Sequence, residues 1–173
     1  FLAFFSPADQ LKIMPYNRVL KDDKNRTDAE ILDALSKVGK IEKTTLKTPE
    51  CPGTYCIYLG KQWYLLTIDP ATIDKDDPVA SLDVDLLQKR VLSPIFDIQD
   101  PRTDKRIDFV GGIRGTEELE RRVDSGEMRL AVSMYPTQIH QIFAVSDGGG
   151  VMPPKSTWFE PKLRSGLFVH ALH

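Results

Sequence analysis

The sequence predicts an α/β fold of the mixed α+β kind, a sheet with a β-hairpin in its first half and alternating strand–helix units in its second. Three observations carry that expectation. The β-rich runs "TYCIYL" and "QWYLLTI" are joined by Gly60-Lys61, the two-residue link of a tight hairpin. From Arg106 onward, strand-like apolar runs alternate with helical stretches of about ten residues. Start and stop signals frame the helical stretches. With 173 residues the chain is long enough to bury roughly 70% of its unfolded surface. A single unit over 1–173 is therefore expected, mixed over 1–75 with the hairpin at 54–68, and β-α-β-α-β over 76–173.

Taken in order, "FLAFF" and "LKIM" (Leu11 to Met14) read as a strand and its continuation, interrupted by the turn signal Ser6-Pro7-Ala8-Asp9. "TDAEILDALSKVG" reads as a helix with Thr27 as N-cap, Glu30 as its capping-box partner and Gly39 as the stop. Ile31, Leu32, Leu35 and Val38 form its apolar face. After the hairpin, "DPATIDKDDP" is an acidic, turn-rich connector. "SLDVDLLQKRVLSP" is a helix ended by Pro94, with Leu82, Leu86, Leu87 and Val91 inward. "IDFV" is a short strand and "TEELERRVDSG" a helix closed by Gly126. "MRLAVSMYP" is a strand, "TQIHQIFAVSDGGG" a helix stopped by three glycines, and "GLFVHAL" a final strand.

The bulk numbers exclude several partners. A formal net charge of -2 argues against a general attraction to nucleic acid or to an anionic membrane surface. No apolar run approaches the ~20 residues of a membrane span, and "FLAFF" has no basic segment ahead of it, so a signal peptide is not expected. Opening on Phe1, the chain reads as part of something longer. Cys51 and Cys56 have no neighbouring Cys or His to complete a tetrahedral metal site and suggest no disulfide framework. A reduced, cytoplasmic protein is expected.

The strongest local signal is "RIDFVGGIRGTEELERR", a strand, a glycine-rich turn and a helix start. Glycines in such a turn let main-chain N–H groups approach an anion at the helix N-terminus. Neither the dinucleotide fingerprint nor the P-loop spacing is present, so a βα turn without a ligand is the alternative. Gly111, Gly112 and Arg114 belong to this turn. Arg106, on the strand leading into it, shares a face with Asp108 and Val110, while Ile107 and Phe109 lie opposite. Arg121 and Arg122, mid-helix, read as solvated.

A second cationic set lies in "VMPPKSTWFEPKLRSGLFVH", where prolines stiffen an ordered loop. Lys155, Ser156, Thr157, Lys162, Ser165 and Gly166 supply the ammonium, hydroxyl and open backbone that a phosphate or carboxylate needs. Trp158 and Phe159 read as core anchors or stacking faces. A third set, Arg18 and Lys21 with Asn17, follows the first strand. His140 reads as a half-buried helix residue, His170 alternates within the last strand, and His173 ends the chain. No nucleophile–base pair, paired-carboxylate motif or metal motif stands out. Together these twelve residues read as one side of a phosphate-binding cleft, with a non-catalytic regulatory or protein-interaction module as the alternative.

The segments "LKIMPYNRVLKD", "DPVASLDVDLLQKRVL", "DPRTDKRIDFVGGIRG", "ELERRVDSGEM" and "VMPPKSTWFEPKLRSGLFVHAL" resemble the C-terminal half of the bacterial and archaeal family known as domain of unknown function 1015. The resemblance implies a missing N-terminal half, similar to ParB/sulfiredoxin-like proteins, that carries an Asp-Gly-His-His-Arg motif absent here. That fold includes free-serine kinases and nucleotide-hydrolysing partition proteins. It further implies a small phosphorylated ligand, phosphotransfer on serine or phosphoserine, magnesium accompanying a nucleotide, and a fragment inactive by itself.

Overall fold

The computed structural model describes residue 7, residues 10–162 and residue 166. A six-stranded sheet runs in the order β3-β5-β4-β7-β2-β6, formed by β2 (Tyr16–Leu20), β3 (Lys40–Thr44), β4 (Thr54–Leu59), β5 (Gln62–Thr67), β6 (Ile107–Gly111) and β7 (Leu130–Met134). Every neighbouring pair is antiparallel. A separate ladder joins β1 (Lys12–Met14) to β8 (Trp158–Glu160), with Met14 opposite Trp158.

The hairpin forms where its turn chemistry places it. Gly60 and Lys61 both take left-handed φ, 56° and 62°, the pair of conformations whose twist matches flanking strands. The first helix, α1 (Asp28–Ser36), starts on the expected capping box, Thr27 and Glu30 satisfying each other's main-chain N–H groups. Gly39 then lets the chain turn against β5, since a Cβ there would lie 2.2 Å from the Thr67 carbonyl oxygen.

Side chains alternate between two apolar layers. On one face, Leu20, Ile57, Leu66, Ile107, Leu130 and Val132 pack against α1 and the helical stretch 83–96. On the other, Val19, Cys56, Tyr58, Val110 and Ala131 pack against Leu119 of α4 (Glu117–Asp124). Ile107 and Val110 therefore face opposite layers, as strand periodicity requires. The unit β6-α4-β7 is the expected strand–helix–strand, but β2 is inserted between its two strands.

Several expectations are corrected. Helix 83–96 does not end at Pro94: α2 (Asp83–Leu87) continues through a π-type turn (Gln88–Leu92) into α3 (Ser93–Phe96). Pro94 sits in the first turn of α3, where its missing N–H is tolerated, and the chain leaves at Asp97, with φ 56°. β3 carries no strand signal strong enough to be expected. It is a charged edge strand, "KIEKT", whose partner β5 determines it. In the loop after α5 (Ile139–Asp147), Trp158 and Phe159 form strand β8. His140 is exposed, not half-buried. Arg122 is buried, bridging Asp108 at 2.6 Å and Glu127 at 2.5 Å, so it is not a solvated cation. "FLAFF", all of "GLFVHAL" after Gly166, His170 included, and His173 lie outside the described residues.

Candidate anion-binding site

Arg18 is the residue around which a site can be built. It sits mid-strand in β2 and is 3% exposed. Its neighbours in the ladder are Phe109 on β6 and Val132 on β7. The guanidinium lies over the Phe109 ring, 4.8 Å from the centroid. Nη1 donates to the main-chain carbonyl of Tyr16 and Nη2 to that of Lys155, at 3.0 Å. No carboxylate among the described residues forms an ion pair with it, and burial pushes it down to about 9. A charge held out of water on carbonyl dipoles and a ring face, without an opposite charge, is energetically exposed. Two carbonyls also leave several of its five N–H donors available.

The space beside Arg18 is a cavity of about 410 Å³. Val84, Asp85 and Gln88 line one wall, with Asp100 to Arg102 and Pro153-Pro154 closing the others. Its acidic groups already have counter-charges. Asp85 meets Lys89 at 2.8 Å, and Asp100 meets Arg102 at 2.9 Å. Among the described residues, Arg18 is thus the cation of the cavity without a carboxylate partner.

The loop that closes the cavity arrives as a rigid unit. Lys155 adopts φ 58°, a conformation costly for a residue with a Cβ, at the position whose carbonyl meets Arg18. Ser156 is buried, its hydroxyl donating to the Pro153 carbonyl while its own carbonyl accepts from Thr137 Oγ1 at 2.9 Å. Lys155 Nζ stands 5.2 Å from the Tyr16 ring centroid and 5.7 Å from that of Phe109. Thr157 follows and is half-buried.

The glycine turn is filled from inside. A Cβ on Gly111 would lie 2.6 Å from the Trp158 ring, and one on Gly112 would lie 2.8 Å from the ring of Pro15. These glycines admit an indole and a proline, and Lys162 Nζ lies over that same indole at 4.6 Å. The loop therefore does reach the turn, with Trp158 as the group that makes contact. Asp108, at the same edge, is exposed, and against an opposing effect of burial Arg122 and the Phe109 N–H hold its carboxyl below the usual range, with Lys155 adding to the effect.

Other members of the predicted set lie elsewhere. Arg106 is five residues before Gly111, about 16 Å away along an extended strand. Its guanidinium binds Asp104 at 2.7 Å, Asp23 at 3.0 Å, and the carbonyls of Phe96 and Asp97 at the end of α3. Lys21, whose N–H donates to the Arg106 carbonyl, lines a different cavity of about 620 Å³ with Lys61, Asp124 and Arg129. Arg114 is exposed in the turn after β6, and Gly166 is exposed with φ 83°. Ser165 lies outside the described residues. The structure thus gathers Arg18, Lys155, Ser156, Thr157, Lys162, Gly111 and Gly112 at one end of β2 and β6, and places Arg106 and Lys21 at the other.

Gln88 was not singled out by sequence reasoning. Its position on a helical stretch, between Leu87 and Lys89, gives no sign that it lines a cavity. Among the described residues no group of three His, Cys, Asp or Glu is placed to hold a metal ion. No helix among them is long and apolar enough to cross a membrane.

Residues 1–85 match the family model described as "Protein of unknown function (DUF1015)", which supports a member of that family. Among solved structures, a free serine kinase in complex with AMP is similar at 15% identity, with a TM-score of 0.51, over 88% of this chain and 55% of that one. A conserved hypothetical protein from Pyrococcus furiosus is similar at 14% identity, with a TM-score of 0.51, over 87% of this chain and 56% of that one. At these identities the likeness is one of fold. The chain spans about half the length of these structures. No curated protein matches the sequence.

Proposed function

We propose that this chain forms the anion-holding wall of a binding site for a small phosphorylated ligand, a nucleotide or phosphorylated metabolite, with Arg18 meeting the charge. The observation that carries the reading is the buried Arg18 guanidinium, without a carboxylate partner among the described residues, on a cavity of about 410 Å³. Buried charges are ordinarily paired, and a phosphate would pair this one through strong, charge-assisted hydrogen bonds. Lys155, Ser156 and Thr157 directly follow the Pro153-Pro154 wall of that cavity, and Lys155 reaches Arg18 through its carbonyl. The AMP bound by the similar kinase agrees with a ligand of this class.

In this reading the chain is the C-terminal half of a longer protein. A ParB/sulfiredoxin-like N-terminal half supplies the acid–base groups for phosphotransfer on serine or phosphoserine, and the cations here stabilise charge on the phosphoryl group. The test is calorimetric titration of AMP, ADP and phosphoserine into this chain and into the longer protein, each as wild type and Arg18→Met. Binding weakened at least tenfold by the substitution supports the reading. Equal affinity of both forms overturns it.

A second reading has its own observation: Arg102, Arg106, Arg121, Arg122 and Arg129 are all held by carboxylates of this chain. A regulatory or interaction module whose cations serve its own structure predicts no binding of any of the three ligands.

A further inference from the structure

Arg18 lines the cavity and is nevertheless only 3% exposed. A phosphate has to set its oxygens directly on the guanidinium N–H groups, so part of the cover must move before the two can pair. The flanking strands β6 and β7 are bonded to β2 within the sheet, and the helical stretch 83–96 packs into the core. The segment between α5 and β8 is attached more lightly.

Main-chain ladder bonds resume only at Trp158, opposite Met14. Ahead of it, two side chains reach the segment from elsewhere in the fold: Arg18 Nη2 donates to the Lys155 carbonyl at 3.0 Å, and Thr137 Oγ1 to the Ser156 carbonyl at 2.9 Å. Lys155 is held at φ 58°, a left-handed conformation that a residue with a Cβ keeps only while its surroundings impose it. Met152, packed against the core, and the buried Ser156 seat the segment.

Its two ends suit a swing. Upstream, Gly149 has φ 68° with no atom within 4 Å of where a Cβ would stand, and Val151 is 84% exposed. Downstream, Trp158 is fixed over Gly111. Pro153 and Pro154 stiffen the piece between, so that it moves as one.

We infer that residues 151–157 form a lid over Arg18, held shut by a bond from the guanidinium it covers, and that the open form is the one that admits the anion. The inference rests on the reading of Arg18 given above and adds to it the control of access to that site. When only the open form binds, the apparent affinity falls with its fractional population. Thr137 is then a brace of the closed, non-binding form, and weakening it strengthens binding.

The experiment titrates AMP into wild type, Arg18→Met and Thr137→Val. The last removes the donor to Ser156 at nearly constant volume and touches neither Arg18 nor the wall of the cavity. Thr137→Val is expected to bind AMP roughly fivefold more tightly, the worth of one hydrogen bond, through faster association. A brace with a structural role alone would leave affinity unchanged or lower it, and either result in a folded Thr137→Val overturns the lid. A second measurement needs no variant: tryptic cleavage of the Lys155–Ser156 bond, followed by mass spectrometry, requires Ser156 to leave its buried seat. Cleavage of wild type should quicken with AMP bound, and protection by AMP overturns the inference even where Thr137→Val fails to fold. Arg18-dependent AMP binding with neither effect leaves the anion site standing and removes the lid. No binding of AMP to wild type removes both.

Discussion

Arg18 Nη2 donates to the main-chain carbonyl of Lys155 at 3.0 Å, joining a buried strand to a loop 137 positions further along the chain. This one bond couples the position of the loop to the presence of a guanidinium in β2. Arg18→Met keeps much of the volume and removes both the bond and the unanswered charge. Hydrogen exchange is expected to show the amides of 151–157 opening at least tenfold faster. Global stability should stay near wild type, because apolar replacement of a buried charge is often neutral or stabilising. Arg18→Ala, which also leaves a void against Phe109, should cost about 2–4 kcal/mol.

The contact between Gly111 and Trp158 predicts a second outcome. A methyl group at 111 would stand 2.6 Å from the indole, so Gly111→Ala must displace the ring or the strand. Overpacking of this kind costs about 1–3 kcal/mol. Denaturant titration should show that loss, and emission from Trp158, read in a Trp63→Phe background, should shift to the red.

Asp83 predicts a pH dependence. Its carboxyl is buried at the start of α2, accepting from the Gly53 N–H at 2.7 Å, and burial pushes it up to about 6 against the effect of that bond. The folded state thus holds this proton more tightly than the unfolded chain, where the value is about 3.9. The stabilising contribution is full below about pH 4 and is lost as pH rises toward 6. Asp83→Asn keeps an acceptor for Gly53 and cannot ionise. Relative to wild type, the variant should gain about 2–3 kcal/mol between pH 4 and pH 7, measured by denaturant unfolding at each pH.

Arg106 separates a structural cation from a ligand-binding one. Its hydrogen bonds to Asp104 raise its pKa, and its remaining N–H groups hold the last carbonyls of α3. Arg106→Ala should lower the melting temperature by several degrees and leave the affinity for AMP unchanged. A variant that keeps its melting temperature and loses AMP binding would reverse the two roles.

Local chemistry made much of the fold legible. The Thr27–Glu30 box, the Gly60-Lys61 turn and the alternation of Ile107 and Val110 depend on residues adjacent in sequence, and each element formed where its signal stood. Pro94 misled because its effect depends on the hydrogen-bonding pattern before it, and the π-type turn at Gln88–Leu92 changes that pattern. β3 was missed because a charged edge strand takes its structure from its partner.

The cationic segments were legible as residue types, and their destinations were not. By itself the sequence determined that anion-pairing groups are abundant near "NRVLK", "GGIRG" and the proline-stiffened loop. Only the tertiary structure decided that Arg106 and Arg122 are neutralised by the protein's own carboxylates, that Trp158 fills the space above Gly111, and that Arg18 and Gln88 share a cavity. Whether a charge is available to a ligand depends on which opposite charges and dipoles lie within a few ångströms, and those come from strands and loops far apart in the chain.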